Sequence, residues 1–224
     1  MGHVHRRLIA FDLDGTLIDS SRDLADSVNE LLVGLGAAEL PRERITKMVG
    51  EGAKVLVRRA LTASGLAETP DAIPRFLEIY DRRLLDHTQP YDGILDVVRA
   101  ARDHARVSVL TNKPTVPTEK VLAGLGMRDL FDDVIGSDGP YPRKPDPGAL
   151  RALMSLAGAA PASTLMIGDS LIDYETAAAA GTRCCLVSYG FSHHTCDGAS
   201  TSGAWIVDDV RSLAALVTRF VAVD

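Results

Sequence analysis

Leu8-Ile9-Ala10-Phe11-Asp12-Leu13-Asp14-Gly15-Thr16 is the stretch from which the rest of the chain can be read. Four consecutive apolar residues end abruptly at an aspartate. The run reads as a buried strand, and the polar residues after it as the loop at the strand's carboxyl end. A spacing of two in an extended loop puts the Asp12 and Asp14 side chains on the same side.

Working outward, Ser20 or Ser21 stands where a helix cap is needed. Leu24, Val28, Leu31, Leu32 and Leu35 follow at helical spacing, with Gly34 and Gly36 to end the helix. Pro41 opens a short helix towards Met48, and Gly50-Glu51-Gly52 is a break. A helix is predicted over 53–63, stopped by Gly65. Ile73, Phe76, Leu77, Tyr80, Leu84 and Leu85 mark another. Residues 20–88 therefore read as all-helical, with no strand signal.

Beyond Pro90 strands and helices alternate. Helices are predicted over 94–101, 118–125, 147–157, 172–180 and 210–217. Strands are predicted over 107–110, 134–135, 165–167, 185–187 and 205–207. This alternation predicts an α/β fold with a Rossmann-like parallel sheet core, interrupted after its first strand by an all-helical insertion.

Composition narrows the function. The chain has 224 residues, 46% hydrophobic and 24% charged, enough to bury a core without disulfides. Acidic residues outnumber basic ones, 30 against 24, for a net charge of -6, which argues against nucleic acid as a partner. No stretch reaches the roughly 18 apolar residues of a membrane span. The basic start (His3, His5, Arg6, Arg7) leads into only four apolar residues, too few for a secretory leader, and Arg6 spoils a myristoylation signal after Gly2. Cys184, Cys185 and Cys196 are odd in number and give no disulfide framework, which suits a cytoplasmic location.

Polar groups gather where strands end: Asp12 and Asp14 after the first, Thr111 and Asn112 after the second, Asp169 and Asp173 after a later one. In an open parallel sheet those ends form the ligand crevice. Carboxylates converging there repel one another, and a hard cation resolves the conflict. An all-oxygen donor set favours Mg²⁺, which works together with substrate phosphate. Lys144, Thr111 and backbone N–H groups are suited to hold the phosphate oxygens.

The order Asp12-x-Asp14-Gly15-Thr16, Thr111-Asn112, Lys144-Pro145 and Gly168-Asp169-x-x-x-Asp173 resembles the haloacid dehalogenase superfamily of phosphohydrolases, over nearly the whole chain. Phe11 to Ser20, Val49-Gly50-Glu51-Gly52-Ala53, Thr111-Asn112-Lys113 and Tyr189-Gly190-Phe191 look like the phosphoglycolate phosphatase branch. The resemblance implies an α/β phosphohydrolase core over 1–19 and 89–224 and a helical cap over 20–88. It implies Asp12 as nucleophile and metal ligand. Asp14 would be general acid and then base, with its backbone carbonyl on the metal. Asp169 would ligate Mg²⁺, Asp173 would support the metal directly or through water, and Thr111, Asn112 and Lys144 would bind the phosphate. The cap turn Gly50-Glu51-Gly52 would face the phosphate site, with the next helix directing its N-terminus at the substrate and Arg58 or Arg59 adding charge.

The implied activity is Mg²⁺-dependent hydrolysis of 2-phosphoglycolate through an aspartyl-phosphate. Another small phosphorylated metabolite (a sugar, nucleotide or amino-sugar phosphate) and a phosphoglucomutase-type isomerisation stay open as alternatives. Asp14 favours phosphate chemistry, because a dehalogenase has no leaving alkoxide to protonate. A non-catalytic binding module is expected to have lost a site carboxylate or the lysine, and all are present. No G-x-G-x-x-G follows the first strand, which argues against a dinucleotide.

The remaining features read as scaffold. His193, His194 and Cys196 lack a partner pair at metal-binding spacing and read as a solvated loop within a polar, mobile stretch from Ser192 to Gly203. Cys184 and Cys185 read as small core hydrophobes. Nothing in the sequence specifies an oligomeric state.

Overall fold

The computed structural model describes residues 7–222; the basic start at His3, His5 and Arg6 lies outside them. The apolar run becomes β1 (Leu8–Phe11), buried along its whole length. Five further strands join it: β4 (Arg106–Leu110), β5 (Asp133–Ile135), β6 (Thr164–Gly168), β7 (Arg183–Val187) and β8 (Trp205–Val207). The order across the sheet is β5-β4-β1-β6-β7-β8, and every pairing is parallel. Such a sheet is buried on both faces, which is why its strands read as continuous apolar runs.

Alternation along each strand sorts the core into two layers. Leu8, Ala10, Met166, Cys184 and Leu186 pack with α7 (Gly148–Ala157) and α8 (Leu171–Ala180). Ile9, Phe11, Val107, Val109, Ile167 and Cys185 face the other way, towards α5 (Ile94–Arg102), α6 (Thr115–Gly124) and α9 (Val210–Ala222). Cys184 and Cys185 thus face opposite layers; both are free thiols, and burial pushes Cys185 up to about 12.

Between β1 and α5 the chain forms four helices, α1 (Ser21–Gly34), α2 (Arg42–Thr46), α3 (Ala53–Ala63) and α4 (Ala72–Arg83). Val28, Leu31, Leu61, Phe76 and Tyr80 form their shared apolar interior. Two features depart from expectation. The chain enters and leaves the helical segment through an antiparallel pair, β2 (Ile18–Asp19) with β3 (Gln89–Pro90), too short to leave a period in the sequence. The Ser20 hydroxyl makes no cap bond; it donates instead to Asp14 Oδ1 at 2.6 Å, while Asp19 Oδ1 accepts the Ser21 N–H at 3.0 Å.

Two helices also differ at their ends. α6 starts one turn before the predicted 118, because Pro117 falls in its first turn, where a missing N–H costs nothing. α9 runs on to Ala222 because Phe220 continues the buried stripe of Leu213, Leu216 and Val217. Among the described residues no helix is long and apolar enough to cross a membrane.

The β5 edge is pinned by a charge pair. Arg106 donates to both oxygens of Asp133, from Nε at 2.7 Å and from Nη2 at 2.9 Å, and Ser108 Oγ adds a bond at 2.9 Å. The Arg106 hydrogen bond is the largest cause holding the Asp133 carboxyl below its usual range. A depressed carboxyl stabilises the fold above its unfolded-state value and loses that contribution as pH falls through the native one. Asp133→Asn is therefore expected to cost about 1–2 kcal/mol at pH 7. In urea unfolding, the gap from wild type should shrink as pH drops below about 4, near the ordinary carboxylate value of 3.8. A gap that does not narrow at all between about pH 5 and the lowest pH at which both proteins fold would contradict the assignment.

Candidate active site

β1, β4 and β6 lie side by side in the sheet, so the loops at their carboxyl ends meet. Leu13 is fully buried beneath the first loop, and this turns Asp12 and Asp14 together towards the crevice. Gly15 has φ +89°, a backbone state that favours glycine, and a Cβ there would overlap the Asp169 carboxylate. A Cβ at Gly190, after β7, would also overlap Asp169, and one at Gly168 would overlap Asp173. Three glycines thus leave space for two acids.

Asp12, Asp169 and Asp173 each place a carboxylate oxygen within 4.8 Å of the others, and all three are buried. One cation sits among them. Lys144 Nζ lies 2.8 Å from Asp12 Oδ1 and 2.6 Å from Asp173 Oδ1. Asp173 also performs the capping role its position suggests: Oδ2 accepts the Ser170 N–H at 3.1 Å and the Ser170 hydroxyl at 2.6 Å. Asp169 Oδ2 accepts the Ser192 N–H at 2.7 Å.

The electrostatics follow from burial and crowding. Burial pushes Asp12 up to about 6; Lys144 opposes this and Asp173 adds to it. Asp169 is raised well above the usual carboxylate range, by burial first and then by Asp12 and Asp173. Burial alone would lower Lys144, but Asp12 and Asp173 outweigh it and hold the ammonium charged. Three carboxylates facing one ammonium leave two formal negative charges over when all ionise. A buried all-oxygen cluster with that surplus fits a hard divalent cation.

The residues after β4 complete the crevice. Thr111 and Asn112 are buried there; Thr111 Oγ1 accepts the Lys113 N–H at 3.1 Å. Asn112 Nδ2 donates to the carbonyls of Gly50 and Lys144, each at 3.1 Å. It thereby joins the turn before α3 to the lysine loop. Gly52 has φ +84°, and a Cβ there would lie 3.0 Å from the Asn112 carbonyl. The Gly50-Glu51-Gly52 turn and the start of α3 therefore lie against the crevice. Arg58 and Arg59 do not: both are exposed, and Arg59 bonds the Met48 carbonyl and pairs with Glu51.

The contacts of Lys113, Tyr80 and Ser192 leave no signal in the sequence pattern. Lys113 Nζ is buried, bonded to the Tyr80 hydroxyl of α4 and to both Asp14 oxygens at 3.1 Å. Ser192 reads in the sequence only as part of a polar, mobile loop; it is buried, and its N–H holds Asp169. His193 and Cys196 bound a short 3₁₀ turn beyond it, both half-buried, so this part of the loop is not fully solvated. Among the described residues only Asp12, Asp169 and Asp173 group with metal-ligand geometry.

The comparisons with known proteins converge on one family. The model of the haloacid dehalogenase-like hydrolases matches residues 9–187. A phosphoglycolate phosphatase of Rhodospirillum rubrum is 40% identical over 216 residues, covering 92% of this chain and 89% of that protein. Phosphoglycolate phosphatase 1 of Pseudomonas aeruginosa is 37% identical over 215 residues, covering 92% and 78%. The crystal structure of a predicted phosphoglycolate phosphatase from Haemophilus somnus superposes with a TM-score of 0.85 at 27% identity, covering 96% of this chain and 99% of that one.

Proposed function

The chain belongs to the haloacid dehalogenase-like hydrolases, and from that premise we propose that it is a Mg²⁺-dependent phosphomonoesterase that hydrolyses 2-phosphoglycolate through an aspartyl-phosphate on Asp12. The observation that carries this reading is the buried group of Asp12, Asp169, Asp173 and Lys144, with Asp14 beside it at the carboxyl ends of β1 and β6. Asp12, Asp169, Asp173 and the Asp14 backbone carbonyl are the groups that would hold Mg²⁺. When bound, the ion neutralises charge between the nucleophilic carboxylate and the phosphate dianion.

The protein's own residues perform the transfer. A carboxylate oxygen of Asp12 attacks phosphorus, and the bond from phosphorus to the glycolate oxygen breaks. Asp14 gives its proton to that leaving oxygen. Water then attacks the aspartyl-phosphate, Asp14 takes its proton, and inorganic phosphate leaves with Asp12 restored. Lys144 orients Asp12 through the 2.8 Å contact and meets phosphate oxygens together with Thr111. Asn112 acts at one remove, holding the Lys144 loop and the Gly50 turn in register.

Residues 20–88 act as a cap over the core 1–19 and 89–224. Closure excludes water from the transfer, and the paired linkers β2 and β3 give the cap a defined hinge. The three free cysteines and a small charged substrate suit the cytoplasm. A rate survey across small phosphomonoesters, with and without Mg²⁺, tests the reading. It should place 2-phosphoglycolate first and give no turnover without the ion. A sugar phosphate or nucleotide in first place, or isomerisation without phosphate release, would overturn it.

A further inference from the structure

The crevice opens into a cleft of about 50 Å³ whose walls are largely apolar, with Leu24, Leu56, Phe76 and Leu77 among them. Lys113 is the one cationic side chain lining it among the described residues. Lys144 is engaged below, at 2.6 and 2.8 Å, by two carboxylates. Lys113 is held differently. Its ammonium is shared between the two Asp14 oxygens at 3.1 Å each, longer than the 2.7–2.9 Å usual for charge-assisted bonds. Its remaining contacts come from α4: the Tyr80 hydroxyl bonds Nζ, and the Tyr80 ring lies 4.5 Å from it. Lys113 is thus a desolvated cation shared between Asp14 and Tyr80 of the helical segment.

We propose that Lys113, positioned by Tyr80, is the residue that recognises the substrate's carboxylate; this rests on the phosphoglycolate reading above. The argument is one of reach. In 2-phosphoglycolate the carboxylate carbon is two bonds from the ester oxygen that Asp14 protonates. A group reading that carboxylate must therefore stand next to Asp14, and Lys113 does. In an apolar cleft a single ammonium gives strong preference for an anionic neighbour over a neutral one, because little water competes. Tyr80 belongs to the cap, so the cation is fully placed only when the cap is shut. This makes closure part of substrate selection.

The test compares kcat/KM for 2-phosphoglycolate and for ethyl phosphate, which keeps the ester and lacks the carboxylate. Wild type should prefer phosphoglycolate, and Lys113→Met should reduce that preference by about 100-fold. Tyr80→Phe keeps the Lys113–Asp14 pair and should reduce it by about tenfold, through KM more than kcat. Melting curves check the fold, and if Lys113→Met fails to fold, Tyr80→Phe decides. Equal losses on both substrates would make Lys113 a counter-ion of Asp14 alone and overturn the inference. A preference unchanged from wild type in Tyr80→Phe would also overturn it while leaving the proposed function intact. A wild type indifferent to the carboxylate would overturn both.

Discussion

Asp12→Asn is expected to lower turnover of every phosphomonoester by at least about a thousand-fold, because it removes the nucleophile and a metal-binding charge together. The variant should stay folded. Asparagine keeps the volume and an oxygen to accept from Lys144, which lies 2.8 Å from the native carboxylate. It also removes a charge that burial disfavours: the carboxyl is pushed up to about 6. A carboxyl raised in the folded state weakens the fold as pH climbs above its unfolded value. The metal-free variant should therefore melt at pH 7 no lower than wild type. Near-wild-type activity with Mg²⁺ present would remove Asp12 from the mechanism.

Removing divalent cations is the second large effect. Three buried carboxylates face one ammonium, and a chelator should leave them mutually repelling, with turnover down by about a hundred-fold or more. Mg²⁺ should restore the rate and Ca²⁺ should restore it poorly. Ca²⁺ takes a looser shell of more oxygens, so a carboxylate can bind it with both and lose its aim at phosphorus. The far-ultraviolet spectrum should not change on chelation, because neither apolar layer of the core includes the acidic cluster. Equal rates with Mg²⁺ and Ca²⁺ would contradict the assignment of a small hard cation.

The parts of this molecule that sequence reveals are those with local causes. A parallel strand buried on both faces needs a continuous apolar run, so β1, β4, β6 and β7 are legible at once. Asp12, Thr111 and Asp169 stand where such runs stop. The contacts that stay hidden are made across the fold. Lys113 meets Tyr80 over a separation of 33 residues, and Ser192 reaches Asp169 over 23. No period or cap signal marks a partner that only the tertiary structure supplies. The Ser192 contact uses a backbone N–H, which any residue but proline would offer. Tyr80 is visible as one apolar position of an amphipathic helix, but the role of its hydroxyl is not. A buried tyrosine needs a partner for that group, and this is the one available hint. Ser20 misleads because an N-terminal serine commonly caps its helix; here Asp14, six residues earlier, takes the hydroxyl.

The covalent step through Asp12 is tested most directly in an Asp14→Asn variant given p-nitrophenyl phosphate. That leaving group departs without a proton, so transfer to Asp12 can proceed, while hydrolysis of the aspartyl-phosphate lacks its base. Rapid mixing with Mg²⁺ should release a burst of one nitrophenolate per active site, followed by a slow phase, with the phosphoryl group on the peptide that contains Asp12. Release that is linear from the first turnover, with no phosphoryl group on Asp12, would contradict the account.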